Sequence, residues 1–322
     1  MAGGMERVKR GISGFLGRLR KGETAARIAD FRYTLYLLRR NPLVVIGSAI
    51  SIFFIFLAFT ANIIVDPNLA YKFNFARSYV WNSPYFSWGT GTATAGPPIS
   101  YLGTDGYGRD LLQMIILAIP LDIALAFSIT FAAMGIGITI GALAGYIGGA
   151  IDEAILRITD IFFAFPGLLL ALVFAAIFGR GNITILALAV LAVWWPTYVR
   201  LMRGQVLAEK EKIYVEALRA LGVGHLRILF RHILPNSIYP ILVQATLDLG
   251  GVILTFSALM FLGFSPTPAL PELGNLASDG IAHVFTAPWL ILFPGLTILL
   301  IALAFNLVGD GLRDALDPRL RR

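Results

Sequence analysis

Cysteine is absent from this sequence, and charged residues are scarce. Asp, Glu, Lys and Arg make up only 14% of its 322 residues, whereas a soluble domain of this size carries about 25%. The lack of cysteine excludes disulfide bonds and thiolate metal sites. The sequence also contains no Gly-Lys dipeptide, so it has no phosphate-binding loop of the form G-x-x-x-x-G-K-S/T. An ordinary water-soluble globular protein and a nucleotide hydrolase of that type are both excluded.

Apolar residues dominate the composition. They account for 57% of the chain, and the mean hydropathy is +0.76. Because a helix needs about 20 mostly apolar residues to cross a bilayer, the long apolar runs predict an all-α integral membrane protein with six transmembrane helices. The run that begins at residue 111 is too long for one perpendicular helix, so we interpret it as a lead-in segment followed by a span. The predicted spans are 43–65, about 120–146, 161–179, 181–199, 239–262 and 287–308.

The net charge of +7 raises the question of a nucleic-acid partner, but the positions of the basic residues argue against one. They lie at the ends of the apolar runs, as orientation signals do. Ten precede the first predicted span, seven lie between the fourth and fifth, four follow the sixth, and Arg157 adds one. The other side receives only Lys72, Arg77, Arg109 and Arg180. This asymmetry predicts a multi-pass protein with both termini in the cytoplasm.

The chain divides into a tail and a transmembrane domain. Residues 1–41 form a basic tail, in which residues 22–40 mix arginine with apolar residues and predict an amphipathic helix on the inner leaflet; a solvated tail is the alternative. Residues 42–322 form the transmembrane domain. Its external loop, 66–110, is rich in aromatic residues, which favours an interfacial belt or a docking surface. Packing of this loop onto the helix ends is the other interpretation.

The cytoplasmic loop, residues 200–238, contains the most informative pattern. Residues 207–221 are helical in pattern, and Gly222-Val-Gly224 then interrupts them. We expect a second short helix over residues 225–234, ended by Pro235. Two amphipathic helices joined by a glycine turn can seat in a groove on a partner protein, although a loop without a partner is the alternative. The apolar stripe of the first helix comprises Val215, Leu218 and Leu221.

Polar groups within a bilayer are costly and are therefore functional candidates. Asp122 lies near the outer end of the second span, where we expect it to reach water. Asp248 lies deeper in the fifth span, with Gln244 one turn before it, and Asn306 lies in the sixth. These three are candidates for lining a water-filled path. Asp248 either contacts a substrate amine or hydroxyl, or bonds to a neighbouring helix.

Glycines recur at four-residue spacing in the second span. Such a smooth stripe lets another helix approach closely, so we expect it to serve helix packing, with a pore-lining role as the alternative. The stripe comprises Gly137, Gly141, Gly145 and Gly149.

No arrangement typical of an enzyme is legible in the sequence. His225, His232 and His283 have no metal-ligand spacing, and no Ser-His-Asp set or carboxylate pair is evident inside the spans. We therefore expect a chain that is not an enzyme and that binds no metal or cofactor of its own.

The cytoplasmic loop resembles the EAA signature of ABC importer permeases, which reads Glu-Ala-Ala, three residues, Gly and later Leu-Pro. Glu216, Ala217, Gly222, Leu234 and Pro235 match it, whereas Leu218 replaces the second alanine. Four further segments resemble the dipeptide/oligopeptide permease family, specifically its C-type subunit. They are 37–43, 102–110, 261–264 and 305–318. One departure is Ala118-Ile-Pro120, where that family has a Gly-Ala-Arg-like sequence.

The resemblance implies a type I ABC importer permease in a prokaryotic cell membrane. The loop would be a coupling helix that docks on a separate ATPase subunit, where ATP and magnesium would bind. The implied partners are a related permease subunit, two ATP-binding subunits and an extracytoplasmic solute-binding protein. Asp248, Gln244 and Asn306 would lie along the translocation path for di- or oligopeptides. The implied ATPase-coupling residues are Glu216, Ala217, Arg219, Gly222, Arg227, Leu234 and Pro235.

Other functions remain open on the sequence alone. The same machinery could import di- or oligosaccharides, because an external binding protein largely selects the cargo in this family. An ion-coupled secondary transporter would show inverted repeats and buried ionisable groups, and only Asp122 and Asp248 fit that description. A structural or signalling membrane protein is a third class. An associated ATPase would distinguish the importer from both.

Overall fold

The computed structural model describes residue 36 and residues 38–67, 100–179, 181–266 and 270–316, and within them the fold is helical throughout. Most of the N-terminal helix predicted over 22–40 lies outside the described residues, although residues 36 and 38–40 are described as helical. Most of the external loop and the C-terminal basic residues beyond 316 also lie outside them. The helices are α1 Pro42–Ile64, α2 Leu111–Ile147, α3 Gly149–Phe163, α4 Gly167–Phe178, α5 Ile183–Lys210, α6 Ile213–Ala220, α7 His225–Ile228, α8 Leu234–Ser237, α9 Tyr239–Leu259, α10 Leu273–Asp279 and α11 Trp289–Leu316.

Five of these helices are long and apolar enough to cross a membrane, namely α1, α2, α5, α9 with the π-helical turn that follows it, and α11. The bent pair of α3 and α4 raises the number to six if it counts as one span. The first predicted span, 43–65, corresponds to α1, which begins at Pro42 with Asn41 as its N-cap. The Asn41 side chain accepts a hydrogen bond from the Leu43 amide, and Pro42 occupies the first turn, where its missing N–H is tolerated.

The lead-in segment and the second span are one helix, so our division of them was wrong. α2 runs for 37 residues with Pro120 inside it, which corresponds to about 55 Å at 1.5 Å per residue. Asp110 caps its start by accepting the Gln113 amide at 2.9 Å. Residues on both sides of Pro120, including Ile119 and Ile123, are buried. This packing offsets the backbone hydrogen bond that the proline removes.

The third predicted span, 161–179, is also wrong, because this region is not a single straight helix. α3 and α4 meet at a bend of 89°, and α4 has only 12 residues. The bend falls at Phe165-Pro166, because a residue that precedes proline is disfavoured in the helical conformation. The break between α4 and α5 lies where the glycines around position 180 predicted it.

The glycine stripe of α2 packs against α5. A Cβ atom on Gly137 would lie 2.1 Å from the Cβ of Tyr198, and one on Gly141 would lie 2.4 Å from the Val199 carbonyl oxygen. Gly145 similarly faces the Arg203 carbonyl oxygen at 2.9 Å. The expected packing role is therefore confirmed for these three glycines. Gly149 does not share it, since it begins α3 and a Cβ atom there would have nothing within 4 Å.

Between α5 and α9 the chain forms the element that we call the elbow, residues 211–238. It contains α6, the turn at Gly222, α7, a π-helical turn at Leu229–Ile233, and α8. The second elbow helix was expected to end at Pro235, but the chain stays helical to Ser237. The π turn makes this possible: the Leu234 amide bonds to the Leu229 carbonyl, five residues back, which shifts the hydrogen-bond frame just before the proline.

The first elbow helix is shorter than expected. α5 ends at Lys210 and α6 starts only at Ile213, so residues 207–221 are not one helix. The apolar stripe holds only in part. Val215 is fully buried and Leu218 half-buried, but Leu221 is 80% exposed because it lies in the turn rather than on the helix.

Candidate functional site

The outer surface of the elbow combines exposed apolar and charged side chains. Ile213, Leu221 and Leu226 are 84%, 80% and 69% exposed, and Phe230 is half-exposed. Large apolar side chains that cluster outside a fold's core mark an interaction surface. All the predicted coupling residues lie on this element, where Leu234 is half-buried and the others are exposed: Glu216, Ala217, Arg219, Gly222, Arg227 and Pro235.

The inner surface of the elbow is fixed to the bundle. Val215, Ile228 and Ile233 are fully buried in a cluster that also contains Met202 and Val206 of α5. The elbow therefore has one face in a packed core and one face without a neighbour in the described part of the chain.

Hydrogen bonds add to this attachment. The Tyr146 hydroxyl at the end of α2 bonds with Nδ1 of His225 at 3.0 Å, and the Tyr214 hydroxyl donates to Glu209 of α5 at 2.8 Å. Burial raises the pKa of the Tyr214 hydroxyl, and the Glu209 carboxylate raises it further. Tyr214 therefore remains a donor to Glu209 over the physiological pH range. The Lys210 ammonium donates to the Tyr146 carbonyl at 3.2 Å.

The turn between the elbow helices depends on Gly222. Its φ is +74°, a left-handed conformation that costs other residues free energy. The Gly222 amide bonds to the Arg219 carbonyl at 2.9 Å, and the Val223 amide bonds to the Leu218 carbonyl at 3.1 Å. These bonds close the end of α6 and set the direction of α7.

Two arginines of α5 tie α3 to the same end of the molecule. Arg203 makes a bidentate ion pair with Asp152 at 2.5 and 2.6 Å. Arg200 pairs with Asp160 and donates from Nε to the Thr159 hydroxyl at 3.2 Å. Sequence analysis missed these pairs. The only signal was the presence of acidic residues in 149–163 and of arginines in 200–203, which does not specify their pairing.

The structure brings Gln244 and Asp248 together inside the bundle. The Gln244 amide donates to Oδ1 of Asp248 at 2.9 Å. Trp194 and Tyr198 of α5 face the same carboxylate, which places an indole N–H and a hydroxyl beside it. The second carboxylate oxygen, Oδ2, and the Tyr198 hydroxyl are buried, and neither has a hydrogen-bond partner among the described residues.

Asn306 does not join this group. Its amide nitrogen lies 3.3 Å from a Cβ position built on Gly250, two residues after Asp248. Residues two apart in a helix point about 200° from each other. Asn306 therefore lies on the opposite face of α9 from the side chains that surround Asp248.

At the end of the bundle opposite the elbow, Arg109 is buried between two carboxylates. It pairs with Asp105 at 2.6 Å and with Asp279 at 3.9 Å. Burial raises the pKa of Asp279 to about 6, with Arg109 acting to lower it and Asp105 to raise it. Trp289 of α11 donates to the Thr104 carbonyl at 3.3 Å. These contacts join the segment before α2 to α10 and α11.

Asp122 does not reach water, contrary to our expectation. It is 3% exposed, and its Oδ2 accepts the Leu273 amide at 3.2 Å. The physical reason is that residues 270–279 cover this part of α2. Glu272 of that segment is fully buried beside it. Sequence analysis did not single out Glu272, because nothing in its neighbours shows that it folds back into the bundle.

Among the described residues, no group of three His, Asp or Glu side chains is placed to hold a metal ion. His225 is exposed and bonds to Tyr146, and the His232 carbonyl accepts the Asn236 amide at 2.8 Å.

The fold and the elbow define a class, that of helical membrane proteins with a short helical element outside the apolar spans. Comparison with known proteins shows which family within this class the chain belongs to. Residues 137–322 match the family described as binding-protein-dependent transport system inner membrane component. The chain belongs to this family, and it is thus a membrane-embedded component of a transport system.

Curated relatives cover most of the chain. It is 37% identical over 296 residues to the dipeptide transport system permease protein of Alkalihalophilus pseudofirmus, covering 91% of each chain. It is 41% identical over 286 residues to the dipeptide transport system permease protein of Escherichia coli, covering 88% of this chain and 91% of the relative. It is also 42% identical over 222 residues to the glutathione transport system permease protein of Pectobacterium atrosepticum, covering 69% and 73%.

Proposed function

We propose that this chain is the permease subunit of an ATP-driven importer and that the elbow receives mechanical work from a separate ATPase subunit. One observation carries this proposal: the elbow exposes apolar and charged side chains on its outer surface while its inner surface is anchored in the bundle core. An amphipathic helical element of this kind fits a groove on a partner. ATP and magnesium bind to that partner, and this chain binds no cofactor of its own.

The cargo that we propose is a di- or oligopeptide. Three curated relatives that share 37–42% of their residues with this chain are named for dipeptide or glutathione transport, and glutathione is itself a small peptide. The further subunits are a related permease, a second ATPase and an extracytoplasmic solute-binding protein. The family description, which specifies binding-protein-dependent transport, supports the last of these.

The elbow lies on the cytoplasmic side in this proposal, and both termini share that side. The distribution of basic residues supports this orientation, since seven of them lie in the segment that contains the elbow. The carboxylate of Asp248, with Gln244 beside it, lies along the translocation path. Asn306 belongs to a different part of that path or to the contact between α9 and α11.

ATP-driven uptake in liposomes tests the proposal. The full chain is reconstituted with its permease, ATPase and binding-protein partners, and uptake of a labelled dipeptide is compared with that of a disaccharide. We expect ATP-dependent dipeptide uptake. Accumulation of the disaccharide alone would reject the peptide cargo, and uptake driven by an ion gradient without ATP would reject the importer itself.

Two glycine variants test the elbow. Gly222→Val forces a β-branched residue into a left-handed conformation, which costs about 1–3 kcal/mol, and it should lower coupled uptake and ATPase stimulation together. Gly224→Ala is the matched control, because Gly224 has an ordinary φ of −60° and open space around it. Glu216→Gln tests the outer surface without changing the backbone. Wild-type uptake by both Gly222→Val and Glu216→Gln would contradict the coupling role.

A further inference from the structure

Two carboxyl groups are buried together where α2, α9 and α10 meet. Asp122 of α2 is 3% exposed, and Glu272, the residue that caps the start of α10, has no exposed surface. The two side chains interact directly. A pair of ionised carboxylates in a dry environment repel each other and lose their hydration, so such a pair normally retains one proton.

The hydrogen bonds around the pair show where a proton is missing. Glu272 Oε1 accepts the Ser257 hydroxyl at 3.0 Å, and Oε2 accepts the Asn275 amide at 2.7 Å. Asp122 Oδ2 accepts the Leu273 amide. Asp122 Oδ1 is buried and has no donor among the described residues. Every other carboxylate oxygen of the pair has a donor, so one hydrogen is lacking.

The elements around the pair supply no cation. α9 presents Ser257 and α10 presents Asn275 and Leu273, all of which are uncharged. None of the ion pairs seen between described residues involves Asp122 or Glu272. The nearest charged group along α10 is Asp279, which pairs with Arg109. The site is also closed, since a Cβ on Gly274 would lie 2.1 Å from the Ser257 carbonyl oxygen.

We infer that Asp122 and Glu272 form a proton-binding site, in which one proton is shared between the two carboxyls and holds α10 against α2. The proton completes the hydrogen bonding of Asp122 Oδ1 and removes one of the two negative charges. The site lies at the end of the bundle opposite the elbow. The inference does not depend on the proposed cargo.

The expected pH dependence follows from Glu272. Burial raises the pKa of its carboxyl to about 7, although the amides of Asn275 and Gly274 and the Ser257 hydroxyl favour the ionised form. In the unfolded chain the same group titrates near 4.5. The folded state thus binds the Glu272 proton more tightly than the unfolded chain does, so the contribution of Glu272 to stability is complete below about pH 4.5 and is lost as the pH rises through about 7.

The test is thermal unfolding of the full chain in detergent between about pH 5 and 8. Asp122→Asn supplies an amide hydrogen in place of the shared proton and can still accept the Leu273 amide. We expect the Tm of the wild type to fall across this range and the Tm of Asp122→Asn to fall much less. Asp279 titrates lower, near pH 6, so the difference above that pH belongs to the pair. Asp314→Asn, an exposed aspartate of α11, is the matched control and should follow the wild type.

Infrared spectroscopy gives a second readout that does not depend on the Tm. At pH 6.5 the wild type should show the carbonyl band of a buried protonated carboxyl, shifted by a deuterated solvent, and this band should lose intensity in both Asp122→Asn and Glu272→Gln. Asp279, whose pKa is raised to about 6, contributes a smaller band in all three proteins. An unchanged band intensity in both variants would overturn the inference, as would parallel Tm profiles for the wild type and Asp122→Asn. Restoration of the wild-type Tm at pH 8 by sodium or calcium would overturn it too, because the ligand would then be a metal cation.

Discussion

Arg109 shows how much a single buried charge can contribute to this protein. Its guanidinium is buried between Asp105 and Asp279. Removing one member of a buried ion pair leaves the others without compensation, at a cost of about 3–5 kcal/mol. We therefore expect Arg109→Ala to lower the Tm of the detergent-solubilised chain severely.

Arg157 is the control for this prediction. It pairs with Glu153 at 3.3 Å, but both side chains are about 70% exposed. Exposed pairs contribute about 0–1 kcal/mol, so Arg157→Ala should leave the Tm nearly unchanged. Equal effects of the two substitutions would show that burial does not determine the strength of these pairs.

Asp248 is the residue at which transport itself can be tested. Its Oδ2 is buried without a donor among the described residues, and Trp194 and Tyr198 lie beside it. A hydrogen bond to a charged group contributes about 1.5–3 kcal/mol, so if the carboxylate contacts the cargo, Asp248→Asn should slow uptake roughly tenfold or more. Uptake of peptides in liposomes measures this effect.

Thr246→Val on the same helix is the matched control, since the Thr246 hydroxyl bonds to the Leu242 carbonyl of its own turn. It should transport at the wild-type rate. If Asp248→Asn also transports all peptides at the wild-type rate at every pH, Asp248 holds α5 against α9 and does not line the path.

At the scale of elements, the contact between α2 and α5 depends on the absence of side chains. A Cβ on Gly141 would lie 2.4 Å from the Val199 carbonyl oxygen and 3.0 Å from the Met202 Cβ. Gly141→Ala must therefore push the helices apart, and overpacking of this kind costs about 1–3 kcal/mol or more. A fall in the Tm of the solubilised chain checks this prediction.

The same helix provides its own control. Gly135 has nothing within 4 Å of a Cβ position, and alanine forms helices better than glycine by about 1 kcal/mol. Gly135→Ala should leave the Tm unchanged or raise it. A loss of stability as large as that of Gly141→Ala would mean that α2 and α5 do not meet along the glycine stripe.

The sequence predicted well those elements that are determined by the residues within them. α1 follows from an uncharged apolar run that starts at Asn41-Pro42, and the elbow turn follows from Gly222, whose left-handed conformation needs glycine. Pro166 predicts a kink between α3 and α4, but the size of the bend, 89°, was not predicted, because an apolar run shows the length of a span but not its direction. The continuity of α2 through Pro120 also depends on packing, which no local pattern reveals.

The residues of the candidate sites also divide into those that a local sequence pattern predicts and those that depend on the fold. The predicted coupling residues were singled out because a charged, glycine-interrupted segment between apolar spans is unusual, and all of them lie on the elbow; their role in coupling stays a prediction. The pairing of Asp122 with Glu272 lies outside such reasoning, since it joins residues 150 positions apart along the chain. Asn306 shows the converse: a polar residue in a span at a plausible depth faces a different helix from Asp248.

At the scale of the whole molecule, the orientation in the membrane is the property on which the importer proposal depends. The absence of cysteine makes it directly testable, because any introduced thiol is the only one in the chain. Leu221 on the elbow is 80% exposed, and Phe285 at the opposite end is 97% exposed. With a membrane-impermeant maleimide, we expect Phe285→Cys to react from outside intact spheroplasts and Leu221→Cys to react only after lysis.

The two positions control for each other, because both side chains are highly exposed and lie at opposite ends of the bundle. The same labelling, repeated with the ATPase present, tests whether the ATPase binds the elbow. If it covers the elbow, its presence should protect Leu221→Cys from the maleimide after lysis and leave Phe285→Cys reactive. Labelling of Leu221→Cys in intact spheroplasts would place the elbow outside the cell, where no ATPase could drive it. The basic residues beside it would then contradict the rule that positive charge stays inside.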